Sequence, residues 1–242
     1  MRWAMISDIH ANLQALESVL SKANEVGWDR MICLGDIVGY GADPSKCMDL
    51  VTARCDAVIM GNHDAAAVGL ADTSKFNPAA RRATEWTAAA LSREHRRFIG
   101  GLPYQVVFEG FEIVHSTPDD PPAWHYLMTE FDAAALYDSF ETGMLFYGHT
   151  HVPALFARKV DGIVESLEPE SFSTRTDCSY IVNVGSVGQP RDGDPRASFA
   201  VFDTGEGRVE FYRVDYDIPL AQKRIIDAGL PEILATRLSH GS

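Results

Sequence analysis

The first 60 residues alternate short apolar runs with segments of helical period, and this alternation constrains the fold more than any other feature. Apolar runs at residues 2–7, 31–34 and 57–60 predict three strands. Residues 12–26, where leucines recur at helical spacing, and residues 44–53, with a proline in the first turn, predict helices between them. This order predicts parallel strands with helices packed against their sheet.

The rest of the chain mixes strands and helices. Further strands are predicted at 104–108, 111–115, 144–147, 154–158, 180–184, 199–203 and 209–214, the first two forming a hairpin. Further helices are predicted at 78–100 with a break near Leu91-Ser92, at 129–140, and at 218–238 with an interruption at Gly229-Leu230-Pro231. Because no repeat, low-complexity tract or linker divides the chain, we predict one α/β domain with two sheets spanning residues 1–242.

Composition narrows the environment in which the chain works. The chain has 242 residues, 46 % of them hydrophobic, as in an ordinary globular protein. No apolar run approaches the roughly 18 residues of a membrane helix, and Asp8 interrupts the N-terminal segment too early for a signal peptide. We therefore expect no membrane partner and a cytoplasmic location. The four cysteines form no CxxC pair, which favours buried reduced thiols.

The net charge of −13 limits the partners. Such a surface repels a phosphate backbone, so broad nucleic-acid binding is not expected. A small phosphorylated ligand can still bind where metal ions set the local charge.

Polar residues cluster directly after five of the apolar runs. In an open α/β sheet, side chains just beyond the carboxyl ends of strands converge on one crevice. We therefore expect one site, formed by the segments Ser7–His10, Gly35-Asp36, Gly61–Asp64, Val114–Ser116 and Gly148–His151.

The residue types in these segments suit metal ions. Imidazole and carboxylate favour zinc, iron or manganese, and the segments contain no cysteine. Asp8 and His10, like His149 and His151, stand two residues apart, so they point the same way from an extended backbone. Each motif alone is commonplace, since a lone histidine is more often a structural residue. All five in this order are hard to explain as an ordinary globular pattern.

The motifs SDIH, GD, GNHD, H and GHTH, from residue 7 to residue 151, together resemble those of the calcineurin-like metallophosphoesterase superfamily. The later stretch NVGSVGQPRDGDPRASFAVFD, residues 183–203, is similar to small single-domain prokaryotic members. This resemblance implies an α/β (α+β) fold, a four-layer α-β-β-α sandwich of two mixed sheets flanked by helices.

The resemblance also implies two metal ions, divalent or of mixed valence, drawn from manganese, iron, zinc and nickel. Their implied ligands form two sets that share one carboxylate: Asp8, His10 and His151 for the first ion, Asn62, His115 and His149 for the second, and Asp36 bridging both. A hydroxide between the ions would attack the phosphorus. His63, not a ligand, would stabilise or protonate the leaving oxygen.

Two positions depart from the GDxVDRG motif of the superfamily's protein Ser/Thr phosphatases. Gly39 stands where those enzymes have the aspartate that orients the catalytic histidine, and Tyr40 stands where they have an arginine that grips phosphate. His63 must then be oriented by another group, for which Asp64 and a backbone carbonyl are the candidates. Phosphate charge must be met by the metals or by another cation, and protein phosphatase activity is disfavoured.

Three residues are candidates for substrate contacts. Arg191, in a Gly/Pro-rich loop that also holds Arg196, could grip a phosphate, or could be a surface arginine paired with Asp192 or Asp194. Tyr40 follows the second motif. Trp124 could stack on a planar group, or could pack its loop onto the body of the protein.

The sequence thus predicts a metal-dependent hydrolase of a small phosphodiester or phosphomonoester, with a slight preference for diesters because the phosphate-gripping arginine is missing. A nucleotide phosphatase or pyrophosphohydrolase, including one acting on dinucleoside polyphosphates, is an alternative within enzymes. A non-catalytic metal-binding scaffold is an alternative of another class. The sequence decides neither the physiological substrate, nor the metal, nor the oligomeric state.

Overall fold

A computed structural model describes residues 1–242 and contains two six-stranded sheets with flanking helices. The strands are β1 Arg2–Ile6, β2 Arg30–Cys33, β3 Ala57–Val58, β4 Gln105–Phe108, β5 Phe111–Val114, β6 Met144–Tyr147, β7 Ala154–Lys159, β8 Val164–Leu167, β9 Phe172–Ser173, β10 Cys178–Asn183, β11 Ala197–Asp203 and β12 Arg208–Val214. The helices are α1 Leu13–Val26, α2 Pro44–Arg54, α3 Asn62–Ala67, α4 Pro78–Ala90, α5 Arg93–Gly100, α6 Glu130–Leu136, α7 Ile218–Asp227 and α8 Glu232–Thr236, and single 3-10 turns lie at Pro121–Ala123 and Arg237–Ser239.

Both sheets are mixed, as predicted. The first has the order β3-β2-β1-β11-β12-β9 and the second has the order β4-β5-β6-β10-β7-β8. Strands β1, β2 and β3 are parallel to one another, as the early alternation predicts. In the second sheet β6 pairs in parallel with both β5 and β10.

Side-chain alternation along the strands builds the layers. In β1, Met5 points into a core shared by the two sheets, whereas Ala4 and Ile6 point into a second core under α1 and α2. In the second sheet, Phe146 joins the shared core and Tyr147 packs under α6. The four-layer sandwich of two mixed sheets flanked by helices is therefore confirmed.

Helix boundaries follow local signals in the sequence. The break between α4 and α5 falls at Leu91-Ser92, where the Ser92 side chain accepts a hydrogen bond from the His95 backbone N–H. The interruption near Gly229 separates α7 from α8, as expected. No helix in the structure combines the length and apolar character needed to cross a membrane.

The structure differs from the predicted elements in a few places. Only Ala57 and Val58 of the segment 57–60 are in a strand, because the Met60 N–H bonds to the Pro103 carbonyl of the chain leading to β4. Strands β8 and β9 and helix α3 were not predicted. Strands β8 and β9 lie at sheet edges and are largely exposed, so they lack the apolar pattern that marks a strand.

Candidate metal centre

The five polar segments meet at one edge of the two sheets. Asp8 and His10 follow β1, Asp36 follows β2, and His151 follows β6. One ligand atom from each of these four buried side chains lies within 4.8 Å of those of the other three. Asn62, His115 and His149 are buried directly beside them. The structure thus brings together all seven side chains that the resemblance implies as ligands.

The backbone turns sharply at these positions. Five of the seven residues have a positive φ, a conformation that costs on the order of 1 kcal/mol or more for a residue other than glycine. Backbone hydrogen bonds hold two of the turns, from Asp8 N to Gly35 O at 3.1 Å and from His10 N to Asp36 O at 2.9 Å. Strain of this kind clusters at functional sites. The five residues are Asp8, His10, Asp36, His149 and His151.

Two glycines let the segments approach closely. A Cβ at Gly61 would overlap the Oδ1 atom of Asp36, and a Cβ at Gly148 would overlap the Oγ atom of Ser7. Any larger residue at either position would push the carboxylates out of the cluster.

Backbone carbonyls fix the protonation of three histidines. The Nδ1 atoms of His10, His115 and His151 lie 3.2 Å, 2.7 Å and 2.6 Å from the carbonyl oxygens of Val38, Leu34 and Gln189, respectively. A carbonyl only accepts, so each Nδ1 must carry the proton in the neutral ring. Each Nε2 atom then presents a lone pair to the centre of the cluster, as in a histidine that binds metal.

This arrangement brings hydrogen-bond acceptors, the imidazole Nε2 atoms and the carboxylate oxygens, close to one another without donors between them. The Nε2 atoms of His10 and His151 lie 3.0 Å apart, and the Oδ1 atom of Asp8 lies 3.3 Å from the His151 Nε2 atom. Asp8 Oδ1, Asp36 Oδ2 and His115 Nε2 are buried without a hydrogen-bond partner. Such atoms are costly to bury unless a cation lies among them, so the residues fit a metal ion.

A second group of acceptors adjoins the first. The Nε2 atom of His149 donates to the Trp124 carbonyl at 3.0 Å, which turns its unprotonated Nδ1 atom toward Asn62 Oδ1 at 3.1 Å. Asp36 Oδ2 lies between the two groups, 3.6 Å from His10 Nε2 and 3.4 Å from His115 Nε2. The second group of acceptors is therefore next to the first, with Asp36 between them.

Burial dominates the electrostatics of the cluster. It raises the pKa of Asp8 to about 7 and lowers the pKa values of His10 and His151 well below the ordinary range. Burial also opposes charge on Asp36 and His115, but their mutual attraction outweighs it, keeping the pKa of Asp36 well below its usual value and raising that of His115 to about 9. A divalent cation would favour the deprotonated form of all five groups.

His63 lies beside the cluster in an aromatic environment. Its ring is 4.4 Å from that of Tyr40, 4.9 Å from that of Phe76 and 5.0 Å from that of His10, measured between centroids. Its backbone N–H donates to Asp36 Oδ1 at 2.8 Å, whereas its Nδ1 atom is buried without a partner. Burial lowers the pKa of His63 to about 4, so the ring is neutral at pH 7.

Neither candidate for orienting His63, the Asp64 carboxylate or a backbone carbonyl, forms a hydrogen bond with its ring. The carboxylate of Asp64 instead accepts the backbone N–H groups of Val38 at 3.1 Å and Gly61 at 3.2 Å, which fixes the start of α3. Packing against neighbouring rings, and not a hydrogen bond, orients the His63 side chain. A Cβ at Gly39 would lie 2.9 Å from His63 Nδ1, so the ring packs on the bare glycine backbone where an aspartate would not fit.

Arg191 contacts Tyr40, which in turn packs against His63. Its Nη2 atom contacts Gln189 Oε1 at 2.9 Å and the Tyr40 hydroxyl at 3.5 Å, and its Nε atom is buried without a partner. The alternative in which Arg191 pairs with Asp192 or Asp194 is wrong, because Asp192 pairs with Arg213 and Asp194 pairs with Arg196. An uncompensated guanidinium therefore stands beside the tyrosine that occupies the position of the missing arginine.

Trp124 adjoins the cluster at His149 and His115. It has a φ of 57° and its carbonyl holds His149. Its half-buried ring lies 5.9 Å from that of His115 and 5.7 Å from that of Tyr104. Beside it runs an open groove of about 420 Å³ that reaches Asn62. Sequence reasoning missed Phe76 and Tyr104 because they lie far from the motifs and carry no signal of their own.

Comparison with known proteins agrees with this geometry. A family model described as the calcineurin-like phosphoesterase superfamily domain matches residues 1–207. An uncharacterized protein of Methanocaldococcus jannaschii is 37 % identical over 243 residues, which cover 98 % of this chain and 97 % of that protein.

Solved structures give the same picture. A metallophosphoesterase from Sphaerobacter thermophilus is 42 % identical, with a TM-score of 0.89 over 100 % of this chain and 99 % of that one. A hypothetical protein from Pyrococcus horikoshii OT3 is 22 % identical, with a TM-score of 0.80 over 100 % of this chain and 98 % of that one, and shares the fold.

Proposed function

The chain belongs to the calcineurin-like phosphoesterase superfamily, and from this premise we propose that it hydrolyses a phosphomonoester or phosphodiester with the help of two metal ions. The observation that carries the proposal is the set of buried acceptors facing one another without donors, above all the His10 and His151 Nε2 atoms 3.0 Å apart. A cation among them would satisfy these acceptors together.

The proposed ligands fall into two sets that share Asp36, whose Oδ2 atom lies between them. When bound, two divalent ions lower the pKa of a water molecule and neutralise charge on phosphoryl oxygens. Manganese, iron, zinc and nickel all suit these donors, so the metal that binds depends on which metals are available as well as on the ligand types. The sets are Asp8, His10 and His151 for the first ion, and Asn62, His115 and His149 for the second.

The protein's own residues position the substrate and handle the leaving group. In the reaction an oxygen from water joins phosphorus, the ester P–O bond breaks, and the departing oxygen gains a proton. His63 is next to the cluster and, as a neutral imidazole, has one N–H to donate to that oxygen. Packing against Tyr40 and Phe76 holds the ring in a fixed orientation.

Arg191 supplies the cation that the motif at Tyr40 lacks. Its guanidinium carbon lies 5.8 Å from the centroid of the Tyr40 ring, and no carboxylate pairs with it. A guanidinium can give two hydrogen bonds to a phosphoryl group. Arg191 can then compensate the additional negative charge of a monoester. This weakens the preference for diesters that the sequence suggested.

The test is a comparison of rates on a chromogenic phosphodiester and the matching phosphomonoester, with protein loaded with manganese and a chelator-treated control. We expect turnover of one or both that disappears on chelation. Absence of turnover on every phosphoester tried, including nucleotides and dinucleoside polyphosphates, with two metals shown to be bound, would contradict the proposal and favour the metal-binding scaffold.

A further inference from the structure

The open groove beside Asn62 has a chemical character of its own. It has a volume of about 420 Å³, within the range of roughly 300–1,000 Å³ typical of small-molecule sites. Three aromatic residues line it, Phe76, Tyr104 and Trp124, together with one cation, Lys75, and one carboxylate, Asp72. We propose that this groove binds the nucleobase of a nucleoside phosphate whose phosphoester lies at the metal centre, an inference that rests on the proposed function and names its substrate class.

The groove is continuous with the metal centre. Asn62 belongs to both, and the Phe76 ring lies 4.9 Å from the His63 ring. On the other wall, the Trp124 ring lies 5.9 Å from the His115 ring, and the Trp124 carbonyl accepts a hydrogen bond from His149. A substituent on a phosphate at the centre would therefore enter the groove between aromatic walls.

The aromatic residues that line the groove favour a ligand with a planar ring over one with a flexible chain. The Tyr104 and Trp124 rings lie 5.7 Å apart at an interplanar angle of 53°, and both residues line the groove. Each base stacked on an aromatic side chain gains about 1–3 kcal/mol, which corresponds to roughly 5- to 150-fold in affinity. The Trp124 carbonyl accepts a hydrogen bond from His149, which ties this wall of the groove to the cluster.

The charge of the groove lining is balanced. Lys75 contributes one cation and Asp72 contributes one carboxylate. A lining without net charge suits an uncharged base. The phosphate charge is left to the proposed metal ions and to Arg191, which contacts the Tyr40 hydroxyl beside His63.

The test compares two ligands that differ only in the base. Binding of adenosine 5′-monophosphate and of ribose 5-phosphate to the manganese-loaded protein is measured by calorimetry, which requires no turnover. We expect the nucleotide to bind at least 5-fold more tightly. Tyr104→Leu should reduce this ratio to near one, and Tyr104→Phe should preserve it. Phe131→Leu alters an 80 % exposed aromatic residue that does not line the groove, and it should leave the ratio unchanged.

The outcomes separate the two proposals. Equal binding of both ligands, no binding of either, or a ratio that Tyr104→Leu leaves intact would overturn the assignment of the groove. Melting curves establish that each variant is folded. A preference for the nucleotide that depends on Tyr104, without hydrolysis of any phosphoester, would keep the groove assignment and contradict the proposed hydrolase function.

Discussion

At the scale of single residues, Asp36 holds the most informative position. Its Oδ1 atom accepts the His63 backbone N–H at 2.8 Å, and its Oδ2 atom lies within 3.6 Å of both His10 Nε2 and His115 Nε2. One atom therefore fixes the start of α3, and the other serves both proposed cation positions. Substitutions that change only Oδ2 can separate these roles.

Asp36→Asn is expected to remove metal binding at both positions together. The amide keeps an oxygen for His63, but it replaces the shared acceptor by a donor. We expect bound manganese to fall from two ions per chain to less than one, and kcat/KM to fall at least 100-fold. His63→Asn is the matched comparison and should keep both ions while losing about 100-fold in rate.

Metal content is read by elemental analysis after gel filtration, and rates are measured on the chromogenic esters. His63→Asn that turns over like the parent would exclude His63 from leaving-group chemistry. Asp36→Asn that retains one tightly bound ion would show that the two positions do not share this carboxylate.

Arg191→Gln should weaken the recognition of phosphate charge. The guanidinium has no carboxylate partner, so it is free to bind a ligand, and a hydrogen bond to a charged group contributes about 1.5–3 kcal/mol. We expect kcat/KM on the monoester to fall roughly 10- to 100-fold, and to fall less on the diester, which carries one charge fewer.

Arg196→Gln is the control for this substitution, because Arg196 is a partly exposed arginine of the same loop already paired with Asp194. It should change neither rate by more than about 2-fold. Equal losses in the two variants would mean that Arg191 acts through the loop and not through the substrate.

At the scale of elements, the sequence predicts the parts whose signal is local. The parallel order of β1, β2 and β3 follows from the alternating pattern, and the break between α4 and α5 follows from Ser92. The edge strand β9 could not be found, because it has only two residues and its pairing depends on β12, which is distant in sequence.

The candidate site divides in the same way. Its proposed ligands lie in short motifs and were all expected from the sequence. The groove was not, because Phe76 and Tyr104 come from segments that meet Trp124 only in the folded chain. The packing of His63 on Gly39 was also invisible, since it is an effect of backbone approach.

The start of α6 gives a prediction for pH dependence. Asp132 accepts hydrogen bonds from the backbone N–H groups of Met128 at 3.0 Å and Thr129 at 2.9 Å, and the Thr129 side chain completes a capping box. The hydrogen bond from Met128, followed by those from Thr129, holds the pKa of Asp132 below its ordinary value. Its stabilising effect is therefore complete above the unfolded-state pKa of about 4 and is lost as pH falls through the lower folded-state value.

Asp132→Ala should lower the free energy of unfolding by about 1 kcal/mol at pH 7. The difference from the parent should shrink as pH falls below about 4, as followed by urea unfolding from pH 7 to pH 3. Glu130→Ala, in the same turn but without a side-chain hydrogen bond, should cost less than about 0.5 kcal/mol. A pH-independent difference for Asp132→Ala would show that the carboxylate is not the stabilising form.

At the scale of the whole molecule, the candidate metal centre lies between strand ends of the two sheets. Asp8 and Asp36 follow strands of the first sheet, whereas His115 and His149 follow strands of the second. In the absence of cations the two edges bring unpaired acceptors together, which destabilises the native state. Ions that bind there bind the native state alone, so they must stabilise the association of the sheets.

Metal loading should therefore raise the melting temperature. At a free metal concentration 100 times the Kd, one site contributes about 2.7 kcal/mol, which for a chain of this size corresponds to roughly 5–10 °C. Asp36→Asn should abolish this increment while its metal-free form melts no lower than the metal-free parent, since the new amide can donate to a buried imidazole lone pair that otherwise has no partner. Differential scanning calorimetry with manganese and with chelator measures both quantities. An equal rise in melting temperature in parent and variant would place the stabilising ions outside the cluster. Ions bound within the cluster would need Asp36, and their stabilising effect would therefore be lost in the variant.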